Sequence, residues 1–582
     1  MNRAAIYHVC GGSYAFPVNK NTLRIRLRAA RNDLDRVVVV YGTRYPGDGE
    51  DPYLSQEMEL VACDELHDYY EADIRLDDAR FRYHFYLEDV QESLWLNEKG
   101  FFEERPRGFF SGFFQYPLIN YADIFSTPDW VKDAVFYHIF PERFYNGDPS
   151  NDPRGVSPWG GKPGRKSFFG GDLEGIIKKL DYIESLGVKA IYLTPVFKSP
   201  SNHKYNIDDY FQIDPHFGDL ETARRMVIEA HRRGIKIIFD AVFNHCGYDF
   251  FAFKDVRQKG EKSQYKDWFE IESFPVQTDP TNYRTFANNI ARMPKLMTGN
   301  PEVREYLINV ATYWIKELDI DGWRLDVADE VDHHFWREMR KAVKEIKEDA
   351  YIVGEVWHNS EDWLQGDQFD AIMNYPFTYA VIDFFARNRI DAGTFDAQLA
   401  KNRMLYQDSV NYVMLNLLDS HDTPRALHFF EGNKEKFKLA VLFQMTYLGA
   451  PMVYYGDELG MTGGEEPASR GCMVWDKENQ DQNLLDYYKK LISIRNKLTP
   501  LLRGNYKTIL VDNIRNIYGF TRHYRGQSVM VIINNSPRPQ QVKIKKFKNR
   551  GTITDHLSGQ TYNTTDGYYL LDLLPYQGLI LE

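Results

Sequence analysis

Four short segments each close an apolar run with acidic, His or Arg residues: DAVFNH (Asp240 to His245), GWRLDVADE (Gly322 to Glu330), VGEVWH (Val353 to His358) and LLDSHD (Leu417 to Asp422). Such a run reads as a buried strand, and a charge at its end stands where a central strand emerges into a pocket. Three carboxylates come out of the pattern: Asp326, Glu355 and Asp422. Arg324 lies two residues before Asp326, so on a strand both side chains point to one face. A fixed positive charge there favours the ionised form of Asp326, which is the chemistry of charged carboxylates mounted at the ends of parallel strands.

Residues placed in this way need a scaffold of alternating strands and helices, and the sequence supplies one. From about residue 123 to 500 the candidate strands are AVFYHIF (Ala134 to Phe140), AIYLTPVF (Ala190 to Phe197), IKIIFDAVF (Ile235 to Phe243), GWRLDVA (Gly322 to Ala328), YIVGEVW (Tyr351 to Trp357), AIMNYPF (Ala371 to Phe377), YVMLNLLD (Tyr412 to Asp419) and PMVYYG (Pro451 to Gly456). Helical patterns lie between them. Ile176, Ile177, Leu180, Ile183 and Leu186 share one face with Gly187 as a stop, and Asn300 with Pro301 caps and opens a helix running to about Leu318. Eight β-then-α units predict a (β/α)8 TIM barrel with its site at the C-terminal ends of the strands.

The rest of the chain has a different rhythm. Residues 1–122 alternate short β-patterned runs such as TLRIRLRAA (Thr22 to Ala30) and RVVVVYG (Arg36 to Gly42) with turn signals, which predicts an N-terminal β-sandwich. Residues 501–582 read as a C-terminal all-β domain, and about 245–299, after the third strand, as an inserted domain. At 582 residues the chain is too long for one core, so this multidomain division is expected.

Composition narrows the partners. The net charge of −12 and the lack of a basic patch argue against nucleic acid. No run approaches the apolar length of a membrane span, and Leu439 to Tyr455 reads as a buried helix running into a strand. The N-terminus lacks a basic and then apolar leader pattern, and Cys10, Cys63, Cys246 and Cys472 are scattered without metal or disulfide spacing. Both readings point to the cytoplasm. The 39 Tyr, 38 Phe and 10 Trp suit stacking on sugar rings as well as large cores.

The four motifs in this order, on a barrel with an insertion after the third strand and a β C-terminal domain, resemble the α-amylase family, glycoside hydrolase family 13. The N-terminal extension, MPKLM (Met293 to Met297) and the VADE ending of the second motif are similar to the cyclomaltodextrinase, neopullulanase and maltogenic amylase subgroup. Glycoside hydrolysis needs one carboxyl as acid and another as nucleophile or base around an oxocarbenium-like transition state. The resemblance implies Asp326 as nucleophile and Glu355 as general acid/base, with retention of configuration. It also implies that Asp422 holds the hydroxyls of the distorted sugar. Glu355 must carry a proton, so its pKa is expected to be raised by aromatic surroundings and neighbouring negative charge.

By the same resemblance, Tyr205 stacks on the sugar at the cleavage site, and His245 and His421 hydrogen-bond that sugar. Asn206 stands where related enzymes commonly carry Asp, and MPKLM ends in Met297 where the subgroup usually has Asn. Phe286, Trp357 and Tyr375 line the acceptor cleft, with core packing the competing reading for Tyr375. Glu330 either lines the acceptor side or is a solvated acid at a helix start. Glu466 and Arg470 match a substrate-binding acid and Arg, and Asp240 supports Arg324. In NGDPSNDP (Asn146 to Pro153) and beyond, Asn146, Asp148, Asn151, Asp152, the Gly170 carbonyl and Asp172 match a structural Ca2+ site; an Asx-rich turn is the alternative.

The implied activity is a retaining hydrolase of α-1,4 bonds in cyclomaltodextrins, pullulan and starch oligosaccharides, with α-1,6 cleavage and transglycosylation left open. The implied partner is an α-glucan or cyclodextrin, and the N-terminal domain is expected to form a homodimer. A plain α-amylase or another α-glucan transglycosylase is the alternative within enzymes. Outside them it is a catalytically silent amylase-like scaffold, which would not need the three carboxylates this chain keeps.

Overall fold

The computed structural model describes residues 1–46, 53–106, 112–287, 289–546 and 551–582. Eight parallel strands form the catalytic scaffold: β1 (Phe136–Ile139), β2 (Ala190–Leu193), β3 (Lys236–Ala241), β4 (Gly322–Leu325), β5 (Tyr351–Gly354), β6 (Ala371–Ile372), β7 (Leu415–Leu417) and β8 (Ala450–Tyr454). They pair in chain order from β1 to β6, β7 pairs β8, and β8 returns to β1. The last gap closes through a parallel bridge from Met373 to Leu415 and a 2.8 Å bond donated by Asn374 N to Leu415 O. The sheet is therefore a closed barrel with no free edge.

The helices start and stop where local chemistry predicts. Asp172 caps α1 (Leu173–Leu186) by accepting from Gly175 N, and Gly187 ends it at φ 85°, a left-handed conformation that glycine adopts without a Cβ clash. Asn300 caps α2 (Pro301–Leu318) by accepting from Glu302 N. The stretch Leu439 to Tyr455 does run from a helix, Lys434–Thr446, into β8.

Two details differ from eight equal units. Between β5 and β6 lies only the 3-10 turn Glu361–Trp363, because that polar stretch lacks an apolar 3.6-residue period. The run expected as a strand to Phe377 stops at Ile372, and Tyr375 opens the helix Tyr375–Val381, with Pro376 in its first turn and Asn374 as its cap.

The N-terminal residues fold as two antiparallel sheets around a core including Leu23, Ile25, Val39, Phe81 and Phe85. The C-terminal residues form two four-stranded antiparallel sheets around Ile517, Ile532, Leu571 and Leu579. Of the expected strand Gln540 to Phe547, the structure shows Gln540–Lys545, and Phe547 lies outside the described residues. The insertion after β3 leaves and returns side by side, since His245 bridges Lys295. Among its described residues it holds one α-helix, Phe251–Lys259, and otherwise 3-10 turns and isolated bridges.

Candidate active site

All three carboxylates stand at the C-terminal rim of the barrel. Asp326 follows the last residue of β4, and Glu355 follows the last residue of β5. They line a cavity of about 570 Å³ together with Asp422, Tyr205, His245, Phe286, Trp357, Glu466 and Arg470. That volume lies in the range of small-molecule sites.

Beneath the cavity floor, one buried guanidinium organises the negative charges. Arg324 Nη1 donates to Asp326 Oδ1 at 2.8 Å and to both Asp240 oxygens at 3.1 Å, and its Nη2 lies 2.8 Å from Glu355 Oε1. Asp240 also accepts from Tyr192 at 2.6 Å and Tyr205 at 2.9 Å. Three buried carboxylates thus share one cation. Burial raises all three, with Arg324 opposing, and Asp240 reaches about 6. Arg324 lowers Asp326 as expected, but the cation is divided three ways, so desolvation still leaves the carboxyl above its ordinary range.

Hydrogen-bond direction ranks the two rim carboxyls. Asp326 receives an aligned bond from Nη1, which favours its anion. Glu355 meets Nη2 without hydrogen-bond alignment, and nearby Asp422 raises it further. That asymmetry makes Asp326 the better held as the anion and Glu355 the better placed to carry a proton. Its Oε2 accepts from Val327 N at 3.0 Å and its Oε1 from Trp357 Nε1 at 3.2 Å, so the carboxyl is held at both oxygens. Val327 itself sits at φ 44°, an uncommon conformation for a β-branched residue, and this turn aims its N–H at Glu355.

Asp422 occupies another wall. Arg470 Nη2 donates to its Oδ1 at 3.1 Å, and His421 Nε2 lies 3.1 Å from its Oδ2. Arg470 also donates to Glu466 Oε1 at 3.1 Å and to the His421 carbonyl at 2.8 Å, joining the loop after β8 to the end of β7. Tyr205 stacks on His421 with ring centroids 5.3 Å apart, and His245 on Phe286 at 4.8 Å. Burial lowers both histidines, His245 to about 3, so both are neutral.

Several expected residues stand elsewhere. Tyr375 is fully buried and stacks on Trp357 at 3.6 Å, so it backs the wall that Trp357 presents and does not line the cavity. Its place at the start of a helix, not on a strand, turns it inward. Glu330 is half exposed and pairs with Lys295 at 3.3 Å, while Asp329 lines the cavity in its stead. The 3-10 turn after Val327 accounts for the exchange, because it swings successive side chains around its axis. His203, Arg165, Ile290 and Met293 also line the cavity. Met293 opens the MPKLM segment and His203 lies two residues before Tyr205, whereas Arg165 and Ile290 carry no spacing signal. Asn206 uses its neutral Oδ1 to accept from Ser199 and Ser201, which fixes the loop bearing Tyr205.

The oxygen-rich loop after β1 is drawn together outside this cavity. Asn146 donates to Asp152 at 2.8 Å. Asp172 accepts from the backbone of Gly147, Asp148 and Gly175 and from the Asn151 amide. A Cβ at Gly170 would collide with Asp152 and Asn146. Among the described residues no three His, Cys, Asp or Glu side chains converge as a metal cluster, but the amide oxygens of Asn146 and Asn151 are buried and without partners. Unsatisfied hard oxygens beside Asp148 and Asp152 fit a calcium ion.

Comparison with known proteins adds to this geometry. Residues 138–493 match the family described as alpha amylase, catalytic domain. Residues 1–120 match the alpha amylase N-terminal ig-like domain, and 506–580 the maltogenic amylase C-terminal domain. A cyclomaltodextrinase of Thermoanaerobacter pseudethanolicus is 51% identical over 555 residues, covering 95% of this chain and 96% of that protein. Neopullulanase 2 of Thermoactinomyces vulgaris is 51% identical over 583 residues, covering 99% of each. A solved structure of a cyclomaltodextrinase superposes with a TM-score of 0.96 at 43% identity, covering 100% of both chains.

Proposed function

The chain belongs to the α-amylase family and is a glycoside hydrolase, and on that premise we propose that it hydrolyses α-1,4-linked glucans by double displacement with retention. The observation that carries the reading is the single guanidinium of Arg324, which holds Asp326 and Glu355 at one cavity with Asp422 on another wall. Glu355 gives its proton to the glycosidic oxygen as Asp326 attacks the anomeric carbon. A water then enters, Glu355 takes its proton, and the glycosyl ester on Asp326 is cleaved. Asp422, fixed by Arg470, accepts from the sugar hydroxyls as the ring distorts. Trp357 and Phe286 offer aromatic faces to the glucose units of the acceptor.

Cyclomaltodextrins, pullulan and starch oligosaccharides are the proposed substrates, with α-1,6 cleavage and glycosyl transfer as extensions of the same chemistry. The support is the chain-long similarity to a cyclomaltodextrinase and a neopullulanase. Rates on the three glucans, with the pullulan product identified, test it. Hydrolysis with panose released from pullulan is expected, and no turnover of any α-glucan would remove the reading. The same preparation is expected to sediment as a homodimer joined through residues 1–122.

Calcium is proposed at the loop after β1. Asn146, Asp148, Asn151, Asp152 and the Gly170 carbonyl would supply its oxygens, and Asp172 would hold the loop from behind. The ion would tie that loop to α1 and take no part in bond cleavage. At 100 times its dissociation constant a bound ion adds about 2.7 kcal/mol. Chelation is therefore expected to lower the melting temperature by roughly 3 °C, and an unchanged melt with and without calcium would exclude the site. A cytoplasmic location is proposed from four unpaired cysteines; among the described residues, no helix is long and apolar enough to cross a membrane.

A further inference from the structure

We propose that His138 is a positioning residue, setting the tautomer of His421 from inside the barrel. His138 lies on β1 and is fully buried, as is His421 just beyond β7. Their rings meet edge to face, 78° apart in plane, with centroids separated by 5.1 Å. Three of their four ring nitrogens, both of His138 and Nδ1 of His421, are buried without a hydrogen-bond partner. Buried polar atoms are seldom left unpaired, and here three of them belong to two rings in contact under the cavity floor.

The hydrogen bonds around His421 fix which nitrogen must carry its proton. Tyr205 has one hydroxyl proton, and it goes to Asp240 Oδ2 at 2.9 Å. The 2.7 Å contact between Tyr205 Oη and His421 Nε2 then requires an N–H on Nε2. That proton also faces Asp422 Oδ2 at 3.1 Å, another acceptor. A neutral imidazole has one N–H, so Nδ1 of His421 is a bare acceptor and needs a donor.

His138 is the donor the fold provides. A neutral imidazole always carries one N–H, and its ring plane is held by stacking on Tyr192 at 4.4 Å. The structure pairs neither His138 nitrogen with His421 Nδ1 directly, so the link runs through one bridging water and favours the Nε2–H form. The result is a directed chain in which His138 donates through that water to His421, and His421 donates towards Tyr205 and Asp422. In the opposite tautomer, Nε2 would present a lone pair to Asp422 and repel it.

The experiment is nitrogen-15 spectroscopy of the histidine-labelled full chain, together with kinetics of His138→Phe and His138→Gln. In the parent, His421 is expected to show a protonated Nε2 and a bare Nδ1. His138→Phe is expected to populate the Nδ1–H form and lower kcat/KM about tenfold on a maltooligosaccharide, the effect of losing one neutral hydrogen bond. His138→Gln, which keeps an N–H donor, is expected to recover most of that loss. A parent spectrum with Nδ1 protonated would overturn the proposal even if neither variant folded. So would a folded His138→Phe protein with the His421 spectrum and kcat/KM both unchanged. Failure of the glucan reading itself would appear separately, as a parent without activity.

Discussion

Asp326→Asn is expected to lower kcat on any accepted α-glucan by at least about 10⁴-fold, with the melting temperature within about 3 °C of the parent. The amide keeps the shape of the carboxylate, and its oxygen can still accept from Arg324 Nη1, which donates at 2.8 Å in the parent. What it loses is the lone-pair charge that would attack the anomeric carbon. Stability is preserved for an electrostatic reason. Asp240, Asp326 and Glu355 surround one guanidinium, and Glu355 and Asp240 each push Asp326 up. Removing one negative charge from this cluster relieves that repulsion. Initial rates and a thermal melt on the same preparation separate the two effects. A variant retaining a tenth of the parent rate would strip Asp326 of the nucleophile's role, and a collapsed melt would show that the carboxylate is needed for folding.

The strands and the chemistry at their ends were readable because both follow short-range rules. An apolar run of four to eight residues with a charge at its end needs only the strand's burial to be interpreted, and β1 to β5, β7 and β8 lie within the runs named except for the first residue of β8, Ala450. Arg324 and Asp326 meet as a two-residue spacing requires. The departures arise where the chain turns. Val327, at φ 44°, begins a 3-10 turn that exchanges Asp329 for Glu330 at the cavity, and no spacing rule encodes that rotation. Tyr375 went inward because Asn374 and Pro376 start a helix where the apolar run suggested a strand. Contacts between distant segments were hidden altogether. Arg470 reaches Asp422 across 48 positions, and Arg165 reaches the cavity from a loop without a motif. The division of one cation among three carboxylates is likewise a property of the closed barrel, which brings β3, β4 and β5 side by side.

Arg324→Met is expected to destabilise the protein by about 3–5 kcal/mol near neutral pH, the effect of leaving buried charge without its partner. Methionine approximates the length of the side chain but carries neither its charge nor its donors. Asp240 would keep the hydroxyls of Tyr192 and Tyr205, whereas Asp326 would lose its 2.8 Å donor. The defect must then depend on pH. Arg324 lowers all three carboxyls in the parent, so its removal raises them beyond their already raised positions, including the value of about 6 at Asp240. A carboxyl with a folded pKa above its unfolded value near 4 binds more protons in the folded state. Its penalty is absent below that unfolded value, grows as pH climbs from there to the folded one, and is complete above it. The melting temperature of the variant should therefore trail the parent by about 5 °C at pH 8 and recover much of the gap at pH 5. Activity will not return with stability, because protonated Asp326 cannot attack. Calorimetry at pH 5, 6.5 and 8 decides the matter: a deficit that is small and flat across this range would mean that Asp240, Asp326 and Glu355 do not depend on a shared cation.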